Sequence, residues 1–146
     1  MVQLARAAGA EVIAITSTET KALAAIALGA QSAISLDEIP DPVGAVLTST
    51  GGRGADVVYD AGGRDTFERS LDMLATRGTL VLYGQSSGPV EPFDPGRLSG
   101  ITGAGRGAGS LTLRWVTASH YLLSQAAAAH AWLASRAVSG KILLEV

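Results

Sequence analysis

The chain has 146 residues, the size of one domain, and is long enough to bury a core of its own. Its 11 basic and 13 acidic residues give a formal net charge of −2 with no run of like charge, which excludes an electrostatic footprint for nucleic acid or an anionic membrane. It contains no cysteine, so it can build neither a disulfide scaffold nor a thiolate metal site.

The apolar stretches are well short of the roughly 20 residues that a membrane span needs. The opening "MVQLARAAGA" lacks the charged and apolar regions of a secretory signal. Composition therefore points to a soluble, globular, cytoplasmic protein.

In chain order the pattern alternates. Residues 2–8 read as a helix stopped by Gly9, since glycine accepts the left-handed conformation at a helix end. "EVIAIT" (11–16) is strand-like. "STETKALAAIALG" (17–29) predicts a helix capped by Ser17 or Thr18, with Leu23, Ile26 and Ala27 inward and Gly29 at its end. "SAISL" (32–36) predicts a second strand, and a short helix follows Pro42. "ADVVYDAGG" (55–63) is a strand running into Asp60 and a double glycine. "DTFERSLDMLATRG" (65–78) predicts an amphipathic helix with Phe67, Leu71 and Leu74 inward and Gly78 past its end. "TLVLYG" (79–84) is apolar enough for a strand covered on both faces.

The last third is less regular. Residues 84–109 read as a Gly/Pro-rich loop. "SLTLRW" (110–115) predicts a half-buried strand, residues 118–140 a helix and "KILLEV" (141–146) a closing strand. Strands alternating with helices argue for a doubly wound parallel α/β sheet.

Ligands of such sheets bind at the carboxyl ends of strands. After the first strand stand Thr16, Ser17, Thr18 and Lys21, where an NAD-binding fold usually carries an acidic residue for the ribose 2′-hydroxyl. Hydroxyl donors and a cation suit a 2′-phosphate instead. A helix cap beside a solvated lysine accounts for the same residues equally well, and Glu19 weakens the electrostatic case. Gly62 and Gly63, and the loop Gln85-Ser86-Ser87-Gly88, allow close approach of backbone to a ligand, although turn formation explains each loop taken singly. Asp60 is better placed to cap its turn than to act in catalysis. His120 and His130 have no partners at metal-ligand spacing, and Trp115 and Trp132 read as packing residues. "GAGRGA" (103–108) matches G-x-G-x-x-A but precedes a strand, whereas a dinucleotide fingerprint follows one.

Three stretches together, "VQLARAAGAEVIAITSTETK", "TGGRGADVVYDAGGRDTFERSLDMLATRGTLVLYGQSSGPV" and "AHAWLASRAVSGKILLEV", resemble the coenzyme-binding half of NADPH-dependent quinone oxidoreductases. These are zinc-free members of the medium-chain dehydrogenase/reductase superfamily. The resemblance implies hydride transfer from NADPH to a quinone or another conjugated carbonyl, with the cofactor carrying the chemistry. It implies that Ser17, Lys21 and Arg136 contact the 2′-phosphate, and that Tyr83, Gly84, Gln85 and Ser86 lie by the nicotinamide. It also implies a homodimer formed through residues 110–115.

The departures set further expectations. The family's catalytic N-terminal domain, first Rossmann strand and glycine-rich phosphate turn have no counterpart, so residues 1–146 are expected to form an incomplete Rossmann-type sheet. A tyrosine that the family often places near the adenosine phosphate is Leu36 here, and a helix and strand usual after "ASHYLL" are absent. The isolated chain is accordingly expected to bind NADPH weakly and to lack reductase activity. A non-enzymatic nucleotide-binding or dimerisation module, and a fragment of a zinc-dependent alcohol dehydrogenase relative, are the competing readings; a methyltransferase fits less well, for want of a glycine-rich turn.

Overall fold

The computed structural model describes residues 1–100, 109–122 and 140–145. Its contacts divide the chain into two units, Met1–Ala55 and Asp56–Val146.

The first unit begins with α1 (Val2–Ala7), closed by Gly9 at φ +82°, the left-handed conformation expected of it. β1 (Ile13–Thr16), α2 (Glu19–Ala27) and β2 (Ser32–Ser35) form a strand–helix–strand unit, with β1 and β2 parallel from Ile13 opposite Ser32 to Thr16 opposite Ser35. Thr18 caps α2, its side-chain oxygen accepting from Lys21 N at 3.4 Å. α3 (Pro42–Ser49) starts on Asp41, whose carboxylate accepts from Val43 N at 3.1 Å and Gly44 N at 3.2 Å. Pro42 stands where a missing N–H costs nothing.

The apolar face expected of α2 is not the one it buries. Ala22 and Ala25 are buried, whereas Leu23 is 64% and Ile26 43% exposed. Small side chains let the helix approach the strands closely, and two strands offer too narrow a surface to cover the larger ones as well. The buried side chains of this unit are accordingly few and mostly small, Ala22, Ala25, Ala30, Ile34, Ser35, Pro42 and Val46.

The second unit holds β3 (Ala55–Asp60), α4 (Phe67–Asp72), β4 (Leu74–Leu82), α5 (Gly96–Ser99) and β5 (Thr112–Trp115), followed by β6 (Thr117–Leu122) and β7 (Gly140–Glu145). β3, β4 and β5 are neighbours in that order; β4 and β5 run parallel from Thr79 opposite Thr112 to Leu82 opposite Trp115. Phe67, Leu71, Leu74 and Leu80 form the core, packed by Val58, Val90, Phe93, Leu98, Leu111 and Leu113. The rings of Phe67 and Phe93 are 4.9 Å apart and tilted by 59°. Burial of Phe67, Leu71 and Leu74 matches the helical spacing read from sequence.

Helix length does not. α4 stops at Asp72 and β4 begins at Leu74, five residues before the strand expected at 79. Arg77, at φ +64°, donates its N–H to Gly109 O at 2.9 Å, so this stretch gains a distant backbone partner that outweighs local helix propensity. Gly78 is therefore buried within β4 and ends no helix. The loop expected at 84–109 contains the short α5, and residues 118–122, expected to open a helix, are paired instead as β6 against β7, in parallel. The rest of that expected helix lies outside the described residues.

The architecture is the expected parallel α/β one, but its strands fall into three hydrogen-bonded groups, β1-β2, β3-β4-β5 and β6-β7. In a 3-2-1-4-5-6 sheet a central strand joins the halves, and no described strand does so. Among the described residues, no helix is long and apolar enough to cross a membrane.

Leu80→Ala, at a site fully out of solvent, should cost about 2–5 kcal/mol in urea unfolding. Leu23→Gln on the exposed face of α2 should change stability by less than about 0.5 kcal/mol.

Candidate functional site

Two strand-end clusters carry the candidate residues, one in each unit. In the first, β1 ends at Thr16, whose hydroxyl lies 3.0 Å from Thr18 O and 3.4 Å from Ile34 O, both of which it can reach as donor. One turn into α2, Lys21 Nζ donates to Ser17 Oγ at 2.9 Å, and both side chains are exposed. The helix start thus places an ammonium group and a hydroxyl together where the α2 dipole also favours negative charge. Glu19, in the first turn, is the acidic residue nearest in sequence. In the adjoining β2, Ser35 Oγ is buried without a hydrogen-bond partner.

The second cluster is built on Asp60, the last residue of β3 and only 5% exposed. One carboxylate oxygen accepts from Gly62 N (2.7 Å), Gly63 N (3.2 Å) and the Thr66 hydroxyl (2.7 Å). The other accepts from the Ser70 hydroxyl at 2.8 Å. A buried carboxylate needs this many donors to offset its lost hydration. Asp60 is therefore the turn cap that its position implied, and it also binds the turn to α4.

The loop after β4 is stitched to that turn. Tyr83 N donates to Asp60 O at 2.9 Å, Ser86 N to Ala61 O at 3.0 Å, Ser87 N to Gly62 O at 2.8 Å and Arg64 N to Gly88 O at 3.0 Å. The carboxyl ends of β3 and β4 consequently meet, and Val116 N donating to Leu82 O at 2.9 Å brings the end of β5 alongside. Tyr83, Gly84, Gln85 and Ser86 therefore stand at the carboxyl end of the sheet's middle strand. Ser86 is exposed and the other three half-buried. Tyr83 meets the exposed Tyr59 edge to face, with centroids 6.4 Å apart.

The glycines here serve the stitching. A Cβ on Gly84 would sit 2.9 Å from Ala61 O, and one on Gly63, at φ +85°, would sit 2.6 Å from Gly88 O. Space between the two loops, more than approach of a ligand, therefore requires glycine at these positions. Gln85 Nε2 is buried with no hydrogen-bond partner, which leaves an unused donor in the middle of the loop.

Behind this cluster, Arg97 in α5 reaches α4, its Nη2 lying 2.7 Å from Glu68 and 3.1 Å from Asp72. Burial opposes the guanidinium charge, but hydrogen bonds and attraction from Asp72 and Glu68 outweigh it and raise the pKa above its ordinary value. A base so raised contributes fully below its unfolded pKa, so the arginine's side of this link persists at every workable pH.

Arg136 lies outside the described residues, as do His130, Trp132 and the 103–108 stretch. Thr66 and Ser70 emerge only from the fold, as does the bonding of the Ser87 hydroxyl to Gly62 and Asp65. The first two follow Asp60 at sequence distances of 6 and 10, which put hydroxyls on one side of α4.

Against known proteins, the profile of a family described as zinc-binding dehydrogenase matches residues 1–121. The chain belongs to this family. It is 45% identical to the 2-haloacrylate reductase of a Burkholderia species over 93 residues, 64% of this chain and 28% of that protein. A probable quinone oxidoreductase of Schizosaccharomyces pombe is 33% identical over 165 aligned positions, 97% of this chain and 49% of that protein. The NADPH complex of Escherichia coli quinone oxidoreductase superposes with a TM-score of 0.68 at 33% identity, over 99% of this chain and 52% of that one. The chain thus spans about half the length of these latter two proteins. The fold is that of the Rossmann-like coenzyme-binding domain of quinone oxidoreductases.

The family description includes zinc, and the described residues do not form a site that fits it. The chain supplies no thiolate, and among the described residues no three His, Asp or Glu side chains gather to hold a metal ion.

Asp60→Asn replaces an all-acceptor group with one that presents an NH2 to surrounding donors. It should lower stability by about 2–4 kcal/mol, read as a lower urea midpoint.

Proposed function

We propose that this chain is the NADP-binding part of a cytoplasmic quinone-reductase-type oxidoreductase, which transfers hydride from NADPH to a quinone or another conjugated carbonyl. The acceptor-binding part lies outside these 146 residues, a reading that rests on the chain spanning about half of its quinone oxidoreductase relatives. NADPH supplies the hydride; this chain's residues hold and orient the nucleotide.

The observation that carries the reading is the Lys21–Ser17 pair at the end of β1. An acceptor carboxylate there would suit a free ribose 2′-hydroxyl, whereas donors and positive charge suit a 2′-phosphate. Ser17 donates its hydroxyl proton to a phosphate oxygen, and Lys21 turns its ammonium from Ser17 to the same group. By family resemblance Arg136, outside the described residues, is assigned to the same phosphate as a planar fork. Tyr83, Gly84, Gln85 and Ser86 form the surface for the nicotinamide. The outer strand β5, with Trp115 49% exposed, pairs two copies through residues 110–115.

Lys21→Ala should weaken 2′,5′-ADP about tenfold in titration calorimetry while leaving 5′-AMP unchanged. Equal loss for both nucleotides, or no loss for either, would contradict the phosphate assignment.

A further inference from the structure

We infer that Ser87, outside the group assigned to the cofactor, is the positioning residue that sets the Tyr83–Ser86 surface. The inference rests on the proposed role of that surface at the nicotinamide.

Ser87 works in both directions at once. Its hydroxyl donates to Gly62 O at 2.7 Å and accepts from Asp65 N at 3.0 Å, while its own backbone N–H donates to Gly62 O at 2.8 Å. One side chain therefore spans both ends of the turn that Asp60 organises. Further links between the two loops include backbone bonds at Tyr83, Ser86 and Arg64, on either side of it. The Gln85 carbonyl accepts from Gly88 N at 3.0 Å within its own loop, and the Gln85–Ser86 peptide is tied to the turn by Ser86 N donating to Ala61 O at 3.0 Å. With the Ser87 hydroxyl removed, Gly62 O keeps one donor, Asp65 N loses its partner, and the segment 84–87 is tied to the turn by backbone alone.

The turn itself does not depend on Ser87. Asp60 holds it through Gly62, Gly63, Thr66 and Ser70, all on its own side of the gap. Loss of the Ser87 hydroxyl should then shift the loop after β4 against a turn that stays in place. The consequence falls on whatever rests on Gly84–Ser86. Ser17 and Lys21 stand at the end of β1 and in α2 of the other unit and serve as the control.

The test compares NADPH with 2′,5′-ADP, which carries the same phosphate without a nicotinamide, on the full 146-residue chain. Ser87→Ala should weaken NADPH about fivefold and leave 2′,5′-ADP within about twofold. Ser87→Thr, which keeps the oxygen, should retain the wild-type ratio, and far-UV circular dichroism should show each variant folded. Ser87→Ala affecting both nucleotides alike, or neither, would overturn the positioning role. Failure of Ser87→Thr to keep the ratio would overturn it too, and would remain informative if the alanine variant unfolded. Wild-type chain that binds NADPH no more tightly than 2′,5′-ADP would instead remove the nicotinamide assignment of residues 83–86, and the positioning role with it.

Discussion

A buried carboxylate in need of donors governs the second unit. Asp60 sits at the end of β3 with almost no solvent contact, and an ionised oxygen pair in such a place is costly unless fully hydrogen-bonded. Two backbone N–H groups and two hydroxyls meet that need. Meeting it fixes the turn at residues 61–66 and the approach of α4, and α4 in turn presents Phe67 and Leu71 to the core. The turn then offers its carbonyls and N–H groups to the loop after β4. Placement of Tyr83, Gly84, Gln85 and Ser86 therefore starts from one side chain more than twenty residues earlier, through the turn to which their loop is bonded.

The first unit is held differently. Its buried side chains are small, its sheet has two strands, and its large aliphatic residues on α2 face solvent. The Lys21–Ser17 contact is exposed and adds little to stability, because water and side-chain entropy compete with it. A residue pair that contributes little to the fold but concentrates donors at a strand end is suited to a ligand. The cap made by Thr18 holds the helix start independently, so the pair can rearrange around an anion without unravelling α2.

Local signals in the sequence carried most of the first unit. The glycines after α1 and α2 occupy left-handed conformations because no other residue does so without strain, which makes helix ends legible. The strand cores and the Asp60 turn were legible for similar reasons, and the spacing of Phe67, Leu71 and Leu74 predicted their burial. What escaped was set by distant partners. The early start of β4 depends on Arg77 meeting Gly109, and β6 depends on β7 some twenty residues on. The exposure of Leu23 and Ile26 depends on how many strands stand beside α2, which helical periodicity cannot register. Ser87 escaped because a serine in "QSSGP" looks like any turn residue until Gly62 and Asp65 arrive opposite it. Of the seven residues tied to the cofactor by family resemblance, five follow the ends of β1 and β4, Lys21 lies in the first turn of α2, and Arg136 is outside the described part.

The claim on which the account turns is that donors at the end of β1 receive a 2′-phosphate. A crystal structure of the 146-residue chain with NADPH tests it most directly. Phosphate oxygens should lie within hydrogen-bonding distance of Ser17 Oγ and Lys21 Nζ, with the nicotinamide against residues 83–86. A bound nucleotide whose 2′-phosphate points to solvent or to another part of the chain, with Lys21 still donating to Ser17, would contradict it.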